Sequence, residues 1–198
     1  MPERRRLWLM AHVIERARTG RAKCRGCGKA IGAGQLRFGH RLPNPFADDG
    51  GEMTHWFHVP CAAYMRPEAF LETLPGATES IDHRDDLERA ARLGVEHRRL
   101  PRATSVERAS SGRAACRSCR EPIEKSTWRI ALMYDEDGRF MPSGFIHLGC
   151  AAEYLETTDV LDRLRHFSAE LTPDEWGEIG TALQESARAV AAPPRADS

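Results

Sequence analysis

The sequence predicts an α+β fold of two small, similar domains, each a short antiparallel sheet with a packed helix. Three observations predict it. The six cysteines, at positions 24, 27, 61, 116, 119 and 150, join nearby histidines in one spacing that is used twice. The surrounding residues repeat too: Ile14-Glu-Arg-Ala-Arg-Thr-Gly-Arg-Ala-Lys-Cys24 matches Val106-Glu-Arg-Ala-Ser-Ser-Gly-Arg-Ala-Ala-Cys116 at an offset of 92. Short strand-like runs and helical runs then recur along both copies. In a chain of 198 residues, a repeat of about 90 means two domains.

The elements follow in order. Leu36–Leu42 and Thr127–Tyr134 interleave arginine with apolar residues and read as strands. Thr54–Val59 and Ser143–Leu148 read as their partner strands, each carrying a histidine. The stretches 43–53 and 135–142 between them are rich in Pro, Gly and Asp and read as exposed loops. Asp85–His97 places Leu87, Ala90, Ala91 and Leu93 near one helical face. Thr172-Pro-Asp-Glu-Trp176 is a helix start, with Thr172 as the cap, proline in the first turn and Glu175 at the capping-box position; that helix runs to about Val190. The expected division is a first domain over 1–97, a linker over 98–104, a second domain over 105–190 and a disordered tail over 191–198.

The cysteine spacing calls for a metal. Cys24-x2-Cys27 is followed after 30 residues by His58-x2-Cys61, and Cys116-x2-Cys119 after 27 residues by His147-x2-Cys150. Structural zinc takes four tetrahedral ligands, and three thiolates with one imidazole is a common set. Two intervening residues let a tight turn present both ligands of a pair to one ion, and Gly26 and Gly28 suit that turn. Three cysteines per repeat cannot all pair as disulfides within it, and no secretory signal is visible. Iron–sulfur and redox Cys-x-x-Cys readings stay open, but the latter leaves the repeated His-x-x-Cys unexplained. The expectation is two zinc ions, one per domain, each helping to fix a small core.

The 29 basic and 29 acidic side chains sum to zero, which argues superficially against a polyanionic partner. By segment, residues 1–64 hold 11 Lys/Arg against 5 Asp/Glu, and residues 155–198 hold 4 against 9. The chain is therefore polarised, basic at the front and acidic at the back, which fits a polyanion-binding end or two solvated surfaces that differ by chance. No uncharged apolar run approaches the roughly 18 residues of a membrane span. The protein is expected not to be secreted, and to sit in the cytoplasm or nucleoid of a bacterium or the nucleus of a eukaryote.

With these residues in view, the Gly-Arg-Ala entry before Cys24-x-x-Cys27, Leu36-Arg37-Phe38 and His55-Trp56-Phe57-His58-x-x-Cys61 together resemble the poly(ADP-ribose) polymerase-type zinc finger. Gly112-Arg-Ala-Ala-Cys116 to His147-x-x-Cys150 is similar to the same finger, so the resemblance covers roughly 12–97 and 104–180. It implies recognition of DNA strand breaks, nicks, gaps or ends without reading base sequence, as a DNA-repair accessory or damage sensor. It also implies a monomer that meets repair enzymes on DNA. Arginines would grip the backbone, and an exposed apolar loop would stack on the bared base pair, for about 1–3 kcal/mol per base. Carried onto this chain, the DNA-binding candidates are Arg21, Lys23, Arg25 and Arg37 with Phe46 in the first finger. In the second they are Arg113 and Arg129 with Phe140 and Met141. Competing structural roles exist. Phe46 can fold into the core, Arg37 and Arg129 can pair with nearby acids, and Trp56, Phe57 and Phe145 read as core.

No enzyme is expected, because four-ligand zinc sites leave no open position and the chain is too short to add a transferase or ligase domain. Two rivals to break sensing remain at this point. One is a zinc-stabilised protein-interaction adaptor, motivated by the neutral second finger. The other is a transcription or RNA-binding regulator.

Overall fold

The computed structural model of the protein describes residues 11–44, 51–136, 139–168 and 170–191. The chain divides into two compact units, Met1–Arg92 and Leu93–Ser198.

The first unit is built on strands β1 (Val13–Arg16), β2 (Leu36–Pro43) and β3 (Glu52–His58), antiparallel in the order β1-β2-β3. Alternation along the strands puts Ile14, Phe38 and Phe57 on one face, all buried, and Phe38 meets the Phe70 ring edge-on at 6.2 Å. Burial of an aromatic side chain of this kind contributes about 1.5–3 kcal/mol. Helix α1 (Val59–Met65) follows β3 directly, with Pro60 in its first turn. It carries Cys61 and buries Ala62, Ala63 and Met65. Helices α2 (Pro67–Thr73) and α3 (Arg84–Glu96) complete the region, and the division between units falls inside α3.

The second unit repeats the sheet with β4 (Ala103–Arg108), β5 (Trp128–Glu136) and β6 (Arg139–His147), in the order β4-β5-β6. Its core gathers Val106, Ile123, Ile130, Leu132, Ile146 and Leu148 from the sheet side with Leu155, Leu164, Ile179 and Leu183 from the helices. These helices are α4 (Ala151–Leu155), α5 (Leu161–Phe167) and α6 (Pro173–Ala191). The start of α6 is the expected capping box: the Thr172 amide donates to Glu175 Oε2 at 2.9 Å, and the Glu175 amide donates to Thr172 Oγ1 at 3.3 Å.

Two expectations are corrected. Residues 98–104 are not a free linker, because Leu100, Ala103 and Thr104 are buried and Ala103 already opens β4. The nearly buried Arg163 guanidinium fastens this stretch by donating to the carbonyls of Ala103 and, at 2.6 Å, Pro101. Nor is 135–142 a loop. Asp135 and Glu136 lie in β5, opposite Phe140 and Arg139 in β6, so the two strands form a long hairpin. Of the expected tail, Ala191 still belongs to α6, and 192–198 lie outside the described residues.

Candidate metal centres and nucleic-acid interface

The two ligand sets assemble as the spacing requires. The ligand atoms of Cys24, Cys27, His58 and Cys61 lie within 4.8 Å of one another, and so do those of Cys116, Cys119, His147 and Cys150. Each set is brought together by a Cys-x-x-Cys turn, the last residue of a strand (His58 or His147) and the helical turn after it (Cys61 or Cys150). A tetrahedral zinc with ordinary bond lengths spaces sulfur and nitrogen ligands by about 3.6 Å. Here His58 Nδ1 lies 3.3 Å from Cys27 Sγ and 4.0 Å from Cys61 Sγ. In the second set His147 Nδ1 lies 3.4 Å from Cys119 Sγ and 3.9 Å from Cys150 Sγ.

The surroundings orient the ligands. Nε2 of His58 stands 3.2 Å from the Ala30 carbonyl, and Nε2 of His147 stands 3.1 Å from that of Pro122. A ring nitrogen that donates its proton to a carbonyl leaves the other nitrogen's lone pair for a metal. The backbone amides of His58 and His147 donate to Cys24 Sγ and Cys116 Sγ at 3.3 and 3.4 Å, which favours thiolate at both. Hydrogen bonding from Cys61, with backbone amides adding to it against burial, lowers the Cys24 thiol to about 4. The same hydrogen bond, burial and the charge of Cys24 push Cys61 far up. In the second set burial opposes ionisation of Cys116, yet the amides of His147, Cys119 and Ser118 bring it to about 7. Burial and the neighbouring Cys116 charge push Cys150 up to about 12. In each cluster one thiol, Cys24 or Cys116, is drawn toward thiolate while a neighbour, Cys61 or Cys150, is pushed away from it. A divalent cation removes that conflict, so the residues fit zinc.

The sites differ in exposure. Cys24 and Cys61 are buried and Cys27 half-buried, whereas Cys119 is exposed and Cys150 half-buried.

Beside the first site lies an open groove of about 590 Å³, lined by Arg21, Lys23, Arg25, Thr54 and Trp56. The three cations stand at every second position between the turn at Arg21 and the turn that begins at Arg25, with Lys23 in an isolated bridge to Ala30, and all are exposed. That segment is tied to the sheet where the Arg25 amide donates to the Trp56 carbonyl at 2.8 Å. The equivalent positions in the second unit are Arg113, Ala115 and Arg117. One cation is missing there, and Arg117 Nε donates to the Ser143 carbonyl at 2.8 Å. Arg113 is exposed.

Arg37 and Arg129, DNA-contact candidates with acid pairing as the competing role, are paired with acids and largely buried. They are 9% and 7% exposed. Arg37 Nη2 donates to Glu15 Oε1 at 2.7 Å, and its guanidinium lies 3.4 Å from the centre of the Trp56 ring. Arg129 pairs with Glu107 and lies 3.5 Å from the centre of the Phe145 ring. The physical reason is the sheet register: Glu15, Arg37 and His58 occupy one rung, as do Glu107, Arg129 and His147. Trp56 is accordingly a half-buried ring platform rather than core, Phe145 is a half-buried platform that also packs against the second core, and Phe57 is core.

Phe46 lies outside the described residues. Phe140 is half-buried, and Met141 is 41% exposed. Met141 sits opposite Tyr134, itself 38% exposed, so an apolar pair stands near the hairpin end. The sequence reading missed Tyr134, Thr54 and Arg117. Strand alternation from Ile130 and the offset of Arg117 from Arg25 were the available signals.

Two closed Cys3His clusters on two three-stranded sheets define a protein of two zinc-finger domains. Residues 15–98 match the family model described as "Poly(ADP-ribose) polymerase and DNA-Ligase Zn-finger region", so the first finger is of the poly(ADP-ribose) polymerase type. The chain is 29% identical over 151 residues to poly [ADP-ribose] polymerase 1 of Oryza sativa subsp. japonica, covering 72% of this chain and 15% of the relative. It is 26% identical over 162 residues to the poly [ADP-ribose] polymerase of Drosophila melanogaster, covering 73% and 16%. To poly [ADP-ribose] polymerase 1 of Gallus gallus it is 27% identical over 132 residues, covering 59% and 13%. These alignments are longer than either unit, so they extend into both. The chain spans less than a fifth of these relatives, and what it matches in them is a zinc-finger region. No helix among the described residues is long and apolar enough to cross a membrane.

Proposed function

We propose that this protein binds DNA at nicks, gaps or ends without reading base sequence and serves DNA repair as an accessory or sensor. The observation that carries the reading is the groove beside the first zinc site. Three exposed cations on one short segment line it together with the half-buried Trp56, within a region that matches the poly(ADP-ribose) polymerase and DNA-ligase finger family. Arg21, Lys23 and Arg25 offer three cations to a phosphate chain, and neutralising phosphates supplies most non-specific affinity. The Tyr134–Met141 pair on the second hairpin offers an apolar surface to a base-pair face that has lost its stacking partner. An intact duplex presents no such face, which is how stacking would select for breaks.

The second finger supports a different emphasis. Ala115 stands where the first finger has Lys23, and Arg117 is committed to a carbonyl. We therefore assign the larger share of affinity to the first finger. The second would cap the far side of a break or dock a protein partner.

The test is competition binding with nicked, gapped, blunt-ended and closed circular DNA at two salt concentrations. Tighter, salt-sensitive binding to the discontinuous substrates is expected, and Arg21→Glu should abolish it while zinc content stays at two ions. Equal affinity for broken and closed DNA would defeat break sensing. A salt-insensitive or absent DNA complex would favour the adaptor reading.

A further inference from the structure

The two buried strand arginines share one unusual setting. In each unit the guanidinium has an aromatic ring against one face and a glutamate on its donor edge, and both partners recur at the corresponding rung. The acids are much more open to solvent than the arginines they hold. Side-chain exposure is 36% for Glu15 against 11% for Arg37, and 44% for Glu107 against 8% for Arg129. The Trp56 ring that carries Arg37 also lines the basic groove, so a single ring links the guanidinium to the path assigned above to the DNA backbone. Its charge is already spent on a carboxylate, an oxyanion of the same donor preference as phosphate.

We propose that Glu15 and Glu107 are intramolecular competitors for phosphate at Arg37 and Arg129, and that they set the selectivity of the fingers. This rests on the DNA-binding reading above. In the free protein the carboxylate holds the arginine against its ring. A phosphate reaches Arg37 only by taking the place of Glu15, whose exposed side chain can swing into solvent while the ring keeps the guanidinium in position. A backbone held in register by Arg21, Lys23 and Arg25 makes that exchange. A loosely bound polyanion does not, so the acid raises the threshold for binding intact duplex. In both units the pair shares a rung with the histidine of the metal-ligand set, which anchors the arginine's strand through the exchange.

Glu15→Gln tests this, since it keeps the side chain's size and hydrogen-bonding capacity but removes the competing charge. Affinity for closed circular DNA should rise about two- to fivefold, the range of an exposed ion pair. The preference for nicked over closed DNA should narrow. The salt dependence should steepen by about one phosphate equivalent. Glu52→Gln removes an equal charge from an exposed position on the same sheet and controls for net charge. In an Arg37→Gln background the Glu15→Gln gain should vanish. Zinc content and melting temperature report whether each variant folds. Unchanged affinity and selectivity in a folded Glu15→Gln protein would reduce the pair to a brace between β1 and β2. So would a gain matched by Glu52→Gln or retained without Arg37. A wild-type protein that binds no DNA at low salt would overturn both this proposal and the reading beneath it, whereas wild-type binding with an inert Glu15→Gln would overturn this proposal alone.

Discussion

Replacing Gly39 with alanine should destabilise the first unit, and replacing Trp56 with phenylalanine in the same molecule should restore much of the loss. A β-carbon at position 39 would lie 2.7 Å from Trp56 Cζ3, 2.9 Å from Val13 Cγ1 and 3.1 Å from Thr54 Cγ2. The first two separations are shorter than packed carbons tolerate, and one of them is to the indole that carries Arg37. Overpacking of this size costs about 1–3 kcal/mol. The second unit shows the alternative solution: the equivalent rung pairs Ala131 with Phe145, a larger residue on β5 facing a smaller ring on β6. For a unit of this size, about 2 kcal/mol corresponds to a fall in melting temperature of roughly 8–16 °C. Thermal or urea unfolding of the zinc-loaded protein measures it, with the Trp56→Phe single variant closing the cycle. An undisturbed Gly39→Ala protein, or a double variant no better than the sum of its singles, would refute the packing argument.

Three further outcomes are expected. Under a chelator the second zinc should leave before the first, because Cys119 is exposed where Cys27 is half-buried, and Cys150 is more open than Cys61; a colorimetric zinc assay on Cys119→Ser and Cys27→Ser proteins resolves the two phases. Burial, joined by the Arg41 charge and opposed by Glu72, holds His12 below the ordinary 6.5, so the unfolded chain takes the proton first. Its contribution is present above pH 6.5 and lost as pH falls from there toward the lowered value, and His12→Gln should lose less stability between pH 7.5 and 5.5 than the wild type does. Arg120 and Ser126 hold left-handed backbone, at φ of 70° and 67°, where the first unit has Gly28 and Gly34; changing either to glycine should stabilise the second unit by about 1 kcal/mol in urea unfolding.

The fold was legible where the repeat spoke twice. Cysteine and histidine spacing located both metal centres, because ligands within a turn must be close in sequence and the remaining pair is tied to a strand end. Strands β2, β3, β5 and β6 were visible through their alternation, and α6 through Thr172 and Glu175. Strand β1 is four residues long and carries two charges, so its pairing with β2 is decided by tertiary contact rather than by pattern. Residues 98–104 look like a linker because Arg98, Arg99 and Arg102 dominate them, yet Leu100 and Ala103 supply the second core and a distant Arg163 holds their backbone. No local signal announces a partner some 60 residues away. The burial of the strand arginines was not legible for a related reason: exposure of an arginine depends on what lies across the sheet, and register is not written in one strand.

Comparison of the two units separates what the zinc scaffold needs from what it carries. The rung Glu–Arg–His, the ring beneath the arginine and the histidine-to-carbonyl hydrogen bond are kept in both. The cations at 21, 23 and 25 are not all kept, nor are the glycines of the turns. A purely structural module would be expected to preserve its unstrained turns and vary its surface at random. Here the second unit accepts left-handed arginine and serine, has alanine in place of a groove cation and ties down another, while its hairpin carries the exposed Tyr134–Met141 pair. The cation replaced at Ala115 and the one tied to Ser143 are the changes that fit the proposed division, in which the first finger supplies charge and the second supplies shape.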